Sequence, residues 1–393
     1  MMTAPLARLL KKPDHSFFLF GPRATGKSTW LRGAFPDAVR LDLLDTRLAL
    51  ELTRAPHLLE SQLGELPAGA WVVLDEIQKI PALLDEVHRL LENRRLRFAL
   101  CGSSARKLKR GGANLLAGRA ILRHLEGFST AELGKTFELD RMLEWGTLPI
   151  VVQSPGREAE ILESYVHTYI QEEIKAEGII RQVPPFLRFL SVAGQLNGQS
   201  VNASNVSREA SVPRMSVDAY FEILKDTLLG HFLPAWQPGL KVRERARPKF
   251  YWFDPGVARV AAGLGSDPVD NAWKGFALET LLFHELRVYN ESSARHRPIA
   301  YYHTASDTEI DFIIETKKRQ PGTKPSIVCI EVKSARRWDR TWDRAMRDLA
   351  ADAGVQVDGI YGVYRGDRRY RFDGIQVLPV KDFLHALHNG EVF

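Results

Sequence analysis

Ser16-Phe-Phe-Leu-Phe20-Gly21-Pro22-Arg23-Ala24-Thr25-Gly26-Lys27-Ser28-Thr29 decides the fold of this chain. Gly21, Gly26, Lys27 and Ser28 stand in the register G-x-x-x-x-G-K-[ST]. The apolar residues before them read as a buried strand, and Thr29 to Ala34 can open a helix. Strand, glycine loop and helix start are the context this motif requires. Glycines permit a tight turn whose backbone N–H groups point at phosphate oxygens. Pro22, Arg23, Ala24, Thr25 and Thr29 complete the phosphate-binding stretch. Lys27 is placed to reach the β- and γ-phosphates of ATP, and the Ser28 hydroxyl to hold Mg²⁺.

Trp71-Val-Val-Leu-Asp75-Glu76 is a short apolar run ending in two acids. Such a run suits a buried parallel strand. Carboxylates at its C-terminal end sit where open α/β sheets bind ligands. Asp75 then takes the Mg²⁺ side and Glu76 polarises the attacking water. A third strand, Arg97 to Cys101, runs into Gly102-Ser103-Ser104. Ser103, with Ser104 beside it, either senses the γ-phosphate or belongs to an ordinary turn. Arg106, Lys107, Lys109, Arg110, Arg119 and Arg123 follow. Arg119 is the candidate arginine finger acting on a neighbouring subunit. The other readings of this cluster are a solvated basic face or a nucleic-acid patch.

At 393 residues, two or three domains are expected. The 45% hydrophobic and 26% charged content are ordinary for a globular protein. Two cysteines, far apart in apolar strand patterns, argue against a disulfide framework and for a reducing, cytoplasmic setting. No window approaches ~20 uninterrupted apolar residues, so no membrane span is expected. A net charge of +6 is compatible with nucleic acid without requiring it.

The expected fold is α/β. Residues 1–128 alternate strand and helix signals as a parallel-sheet nucleotide domain, with Ala38 to Asp42 as a further strand and 45–63 mostly helical. Residues 129–182 read as a helical lid or linker. Residues 183–255 give helix, short helix, turn at Ser211-Val-Pro213, longer helix from Arg214, and a strand pair around a basic loop. That is the layout of a winged helix. Its DNA-contact candidates are Arg214 and Ser216 at the start of the longer helix and Arg243, Arg245 and Arg247 in the loop. Winged helices also serve as protein-interaction modules.

Residues 270–393 carry a second constellation. Gly275 to Leu286 reads as an amphipathic helix, and strands follow at Ile299–Tyr302, Glu309–Glu315 and Ile327–Lys333. Residues two apart on a strand face the same side, so Glu331 and Lys333 point together. With Asp311 on the neighbouring strand and Glu279 on the helix, the carboxylates form a candidate Mg²⁺ site, and Lys333 a group that orients or deprotonates water. The alternative is a structural ion pair.

These residues carry a resemblance. The phosphate loop, Asp75-Glu76-Ile-Gln-Lys-Ile-Pro81 and Gly102-Ser103-Ser104 resemble a bacterial and archaeal group of AAA-type ATPases with a C-terminal region of unknown function. The winged-helix signals and the Asp311/Glu331-Val-Lys333 pattern resemble the two parts of that region, the second similar to the PD-(D/E)XK nuclease superfamily. The superfamily's Pro-Asp pair stands here as Ile310-Asp311. The resemblance implies an AAA-type core, winged helix and nuclease-like α/β domain. It also implies ATP and Mg²⁺ as cofactors, action on DNA with branched or junction forms as candidates, and a homo-oligomer with a hexamer as one form. Whether the nuclease-like domain cuts stays open. Two alternatives remain, a regulatory switch that shows its winged helix to protein partners, and an ATP-gated Mg²⁺-dependent endonuclease.

Overall fold

Phe17, Phe18, Leu19 and Phe20 are all inaccessible to solvent. Phe18 and Phe20 pack into the core on one face of a sheet, Phe17 and Leu19 into the core on the other. Burial on both faces is what a central parallel strand requires. The computed structural model describes residues 6–103, 106, 108, 116–170, 183–237, 247–303, 309–318, 320, 323–352 and 354–393. Ser104, Lys107, Lys109, Arg110, Arg243, Arg245 and residues 171–182 of the expected lid or linker lie outside the described residues.

Strand β1 (Phe17–Phe20) is followed by β2 (Val39–Asp42), β3 (Trp71–Asp75), β4 (Arg97–Gly102) and β5 (Ile121–His124). They form one parallel sheet in the order β2-β3-β4-β1-β5. Gly21, Asp75 and Gly102 therefore stand along one rim, at the carboxyl ends of β1, β3 and β4.

Beyond this sheet one large core runs from Phe128 to Phe393, with two smaller clusters beside it, one around Ile310, Ile313 and Met346 and one around Tyr364, Ile375 and Val377. Its middle part comprises the helix Val183–Gln195, β6 (Gln199–Ser200), the helices Ala203–Glu209 and Arg214–Asp226, β7 (Gly230–Leu233) and β8 (Lys249–Trp252). The strands make a small antiparallel sheet in the order β6-β8-β7. Val217, Phe221 and Leu224 recur at helical spacing, and all three are buried. The sequence reading passed over β6, whose two residues are too short to give a period.

The C-terminal part opens with the helix Asn271–Ser292, capped by the Asp270 side chain, which accepts from the Trp273 amide at 2.7 Å. Its expected amphipathic character does not hold. Ala277, Leu278, Thr280, Leu281, Phe283, His284 and Glu285 are all buried, so every side of the helix is covered. Strands β9 (Ile299–His303), β10 (Glu309–Lys317), β11 (Ser326–Lys333), β12 (Gln356–Tyr364), β13 (Tyr370–Phe372) and β14 (Ile375–Pro379) form a mixed sheet in the order β13-β14-β12-β11-β10-β9. The three-stranded and six-stranded sheets meet through the main chain just after β7. The Trp236 amide donates to the Tyr301 carbonyl at 2.6 Å, beside a bridge between Ala235 and Tyr301. Among the described residues, no helix is long and apolar enough to cross a membrane.

Candidate functional site

The loop after β1 turns through Gly26, whose φ of 87° is left-handed and favours glycine. The helix Lys27–Ala34 begins there with no side-chain cap. Its first-turn amides thus face outward with the positive end of the helix dipole behind them, the chemistry that grips phosphate. Lys27 is buried, and its ammonium donates to the Gly21 and Pro22 carbonyls at 2.8 and 2.9 Å. The ammonium therefore stays over the loop. Thr25 braces the same turn through its hydroxyl, which donates to the Pro22 carbonyl at 2.9 Å.

The Ser28 hydroxyl donates to Asp75 Oδ2 at 2.7 Å. Forty-seven residues apart in the chain, they supply two hard oxygens side by side at the loop mouth. This donor set fits Mg²⁺, which takes few protein ligands and keeps phosphate and water for the rest. Glu76 follows in a left-handed conformation, φ 59°, a strained state for a residue with a Cβ. Gln78 Nε2 reaches both Glu76 Oε2, at 2.5 Å, and Ser103 Oγ, at 3.1 Å. Three residues from two strand ends are thereby joined. Gly102 makes the approach possible, since a Cβ there would sit 2.3 Å from Gln78 Oε1.

Sequence reasoning missed Gln78, and it missed Arg8. The Arg8 guanidinium donates to the carbonyls of Thr25 at 2.8 Å and Glu126 at 2.6 Å, and to Glu132 Oε1 at 3.0 Å. One side chain thus ties the phosphate loop to the segment leaving β5. Its partners lie up to 124 residues away, so no local pattern could have shown it. A cavity of about 390 Å³ lies against the first turns of the helix after the loop, lined by Leu10, Gly26, Trp30, Gly33, Phe128 and Pro149 among others. Its apolar and aromatic walls suit a planar base.

Arg119 stands elsewhere. Ile121, two residues on, pairs with Phe17 at the start of β1, so Arg119 lies at the opposite end of the sheet from the phosphate loop. It is 42% exposed and ion-paired with Glu92 of its own chain. Arg106 is buried and pairs with Asp226 at 2.7 Å. Arg123 lies 3.9 Å from Glu291 on the long helix.

The C-terminal acids converge with two lysines. Asp311 and Glu331 are buried on neighbouring strands. Asp311 Oδ2 accepts from the Val332 amide at 2.8 Å and lies 3.9 Å from Lys333 Nζ. Lys333 also pairs with Glu331. From the other side comes Lys249 of β8, only 5% exposed. Its ammonium contacts Glu309 and lies 3.9 Å from Asp311 Oδ1 and 4.0 Å from Glu279 Oε2. Burial and the Asp311 charge raise the Glu279 carboxyl to about 8, against opposing pull from Lys249. Burial and Asp311 also push Glu331 well above the usual carboxylate range. Burial alone lowers the Lys249 pKa, but Asp311, Glu279 and Glu309 outweigh it and hold the ammonium charged. Among the described residues, no three acidic, histidine or cysteine side chains converge to hold a metal ion. The expected shell of Glu279, Asp311 and Glu331 does not fit Mg²⁺ as it stands, because an ammonium group lies between Glu279 and Asp311.

Of the DNA-contact candidates, Arg214 is two-thirds exposed and lies 4.0 Å from Asp218, one helical turn on. Ser216 lies on the same turn, next to Met215 at 85% exposure. Arg247 is exposed, and its carbonyl accepts from the Tyr301 hydroxyl at 2.5 Å.

Comparison with known proteins gives three adjoining matches. Residues 14–134 match an AAA domain. Residues 136–268 and 274–383 match two domains of unknown function, DUF8612 and DUF4143. An uncharacterized protein of Mycobacterium tuberculosis is 25% identical over 379 residues, covering 93% of this chain and 80% of that protein. An uncharacterized protein of Mycobacterium bovis matches to the same extent. Among solved structures, the Orc1 protein of Aeropyrum pernix in complex with DNA is 14% identical, with a TM-score of 0.25 over 66% of this chain and 88% of that one. A signal-transduction ATPase with a tetratricopeptide repeat sensor from Pyrococcus horikoshii is 13% identical, with a TM-score of 0.24 over 72% of this chain and 46% of that one. The loop, Lys27, Ser28 and Asp75, assembled on a parallel sheet, lie within the residues 14–134 that match the AAA domain, and that match supports a P-loop ATPase of the AAA type.

Proposed function

We propose that the chain is an ATP-hydrolysing AAA-type protein that acts on DNA as a motor or remodelling ATPase. The observation that carries the hydrolytic part is the contact of Ser28 with Asp75 beside the Glu76–Gln78–Ser103 array. Lys27 and the loop amides hold the β- and γ-phosphates of ATP. Ser28 and Asp75 would hold Mg²⁺, which supplies charge neutralisation between those phosphates. Glu76 takes a proton from the attacking water, and Gln78 holds Glu76 and Ser103 together through its amide. Arg119 serves a neighbouring subunit after leaving Glu92, which makes the active form an oligomer.

In this reading, residues 183–255 work as a winged helix and residues 270–393 as a nuclease-like DNA-binding domain. The helix order and the β6-β8-β7 sheet support the first. The exposed Arg214 and Arg247, with the chain's net positive charge, support DNA as the partner. Cutting is not part of the proposal, since Lys249 lies among the acids that would bind the metal. A second reading, an ATP-dependent switch that recognises a protein, is favoured by Met215 at the exposed start of the same helix. ATP turnover against single-stranded, duplex and branched DNA tests the proposal. Stimulation by DNA that weakens steeply with salt is the expected result. Turnover indifferent to every DNA form would leave the switch in its place.

A further inference from the structure

The C-terminal sheet carries a second concave surface that the motifs do not reach. A cavity of about 510 Å³ opens between the turn after β11 and the turn joining β12 to β13. Arg336, Arg337, Trp338, Arg368, Tyr370 and Phe372 line it. The two turns are fastened to each other. The Arg365 amide donates to the Ala335 carbonyl at 3.1 Å. The Tyr364 hydroxyl donates to the Arg368 carbonyl at 2.7 Å and accepts from the Arg368 amide at 3.1 Å. The walls are thus held in place by groups other than those facing the cavity.

Its charge is unbalanced. Arg336, Arg337 and Arg368 are exposed and have no carboxylate partner among the described residues, and the single acid in the lining is Asp367. Arg340 differs, being held by Asp343 at 2.9 Å and Asp373 at 2.6 Å, with its guanidinium over the Phe372 ring. Tyr370 and Phe372 stack with ring centroids 5.5 Å apart, and Trp338 stands edge-on to Tyr364. Trp338, Tyr370 and Phe372 are half-buried, so part of each ring remains open to the cavity.

We propose that this groove binds single-stranded DNA. Unpaired guanidinium groups in a concave surface attract a polyanion and track its phosphates. Open aromatic rings take up bases by stacking, which tolerates any sequence. A duplex hides its base faces against one another, so an aromatic-lined groove selects the unpaired strand. The location adds to this. Lys333 pairs in register with Tyr364, so the groove starts just beyond the strand ends that carry the acidic cluster. Arg336, in the lining, follows Lys333 by three residues, just past the end of the strand that carries Glu331. The class of partner rests on the reading of the chain as acting on DNA, while the groove stands on its own residues.

The test uses the full chain, a fluorescently labelled oligothymidylate, and a duplex of equal length, read by anisotropy. The variant Arg336→Ala/Arg337→Ala/Arg368→Ala changes exposed side chains only, and unchanged ATP affinity reports an intact fold. It should bind the single strand about tenfold or more weakly, with the slope of log affinity against log salt reduced by about 2 for three lost phosphate contacts. Duplex binding should not change. Photocrosslinks from a bromouracil-substituted strand should map to Trp338 or Tyr370. If wild type binds the single strand and the variant matches it, the groove is refuted while DNA action stands. If wild type binds neither form, the DNA reading fails first and the groove with it. Much tighter binding of an RNA strand of equal length would overturn the assignment to DNA.

Discussion

The Arg106 guanidinium donates to the Asp226 carboxylate at 2.7 Å, across 120 residues of sequence. Arg106 lies three residues after Ser103 at the edge of the ATP site, and Asp226 is the last residue of the 214–226 helix. A shift in the strand end that carries Ser103 thus has a direct route to the helix proposed to meet DNA. Asp226→Asn should leave ATP turnover without DNA within about twofold and remove the dependence of DNA affinity on bound nucleotide. The change should lower stability by roughly 1–3 kcal/mol, because the buried Arg106 loses its charge-assisted hydrogen bond to the Asp226 carboxylate. Binding measured with ATP and ADP, together with thermal unfolding, checks both.

In the ATP site, Lys27→Ala should abolish turnover. Glu76→Gln should keep nucleotide binding and slow turnover by on the order of a hundredfold or more, the scale of a lost general base. Gln78→Ala and Gly102→Ala should each reduce kcat at near-normal ATP affinity, the first by releasing Glu76 and Ser103, the second by displacing Gln78. Calorimetry with ATP beside a steady-state assay separates binding from turnover. Equal rates in wild type and Glu76→Gln would assign the base elsewhere.

Lys249→Met should expose the acidic cluster. Without the ammonium, the carboxylates of Glu309 and Asp311 lose a charge partner, with a cost of about 3–5 kcal/mol at neutral pH if the site stays dry. The variant should then gain thermal stability on addition of Mn²⁺ or Mg²⁺, and the wild type should not. A wild type stabilised by Mn²⁺ to the same degree would remove Lys249 from this role.

Glu279 gives a pH signature. Its folded pKa of about 8 lies above the ordinary 4.5, so the folded state binds the extra proton. The stability it contributes is fully present below about pH 4.5 and is lost as pH rises through 8. Glu279→Gln should therefore flatten the fall in stability across that window. Denaturant midpoints at several pH values report the difference.

The phosphate site was legible because its chemistry is local. Loop, ammonium and hydroxyl lie within eight residues, and Asp75 ends an apolar run. The parallel sheet followed from the same strands. The acidic cluster was half legible. The alternation on β11 exposed Glu331 and Lys333, but nothing in the sequence pointed from Lys249 to Asp311, which approach each other from two different sheets. Arg8 meets Thr25, Glu126 and Glu132, and Gln78 meets Ser103, partners distant in the chain that leave no period behind. The long helix misled for a related reason. Buried on every side, it packs Glu285 against Thr130 and His388, so its polar residues mark contacts rather than a wet face.

That helix meets the segment leaving β5 at four points. Glu291 accepts from the His124 amide at 3.3 Å, Arg287 holds Glu126, His284 meets the Phe128 carbonyl and Glu285 takes Thr130. Nearer its other end, Glu279 touches Tyr251 and lies by Lys249. Glu279 stands twelve residues from Glu291 on this rod, roughly 18 Å away, so a tilt of about five degrees at the nucleotide end would move it by about 1.6 Å. A small displacement beside β1 would reach the distant acids as a lever stroke, amplified by length alone.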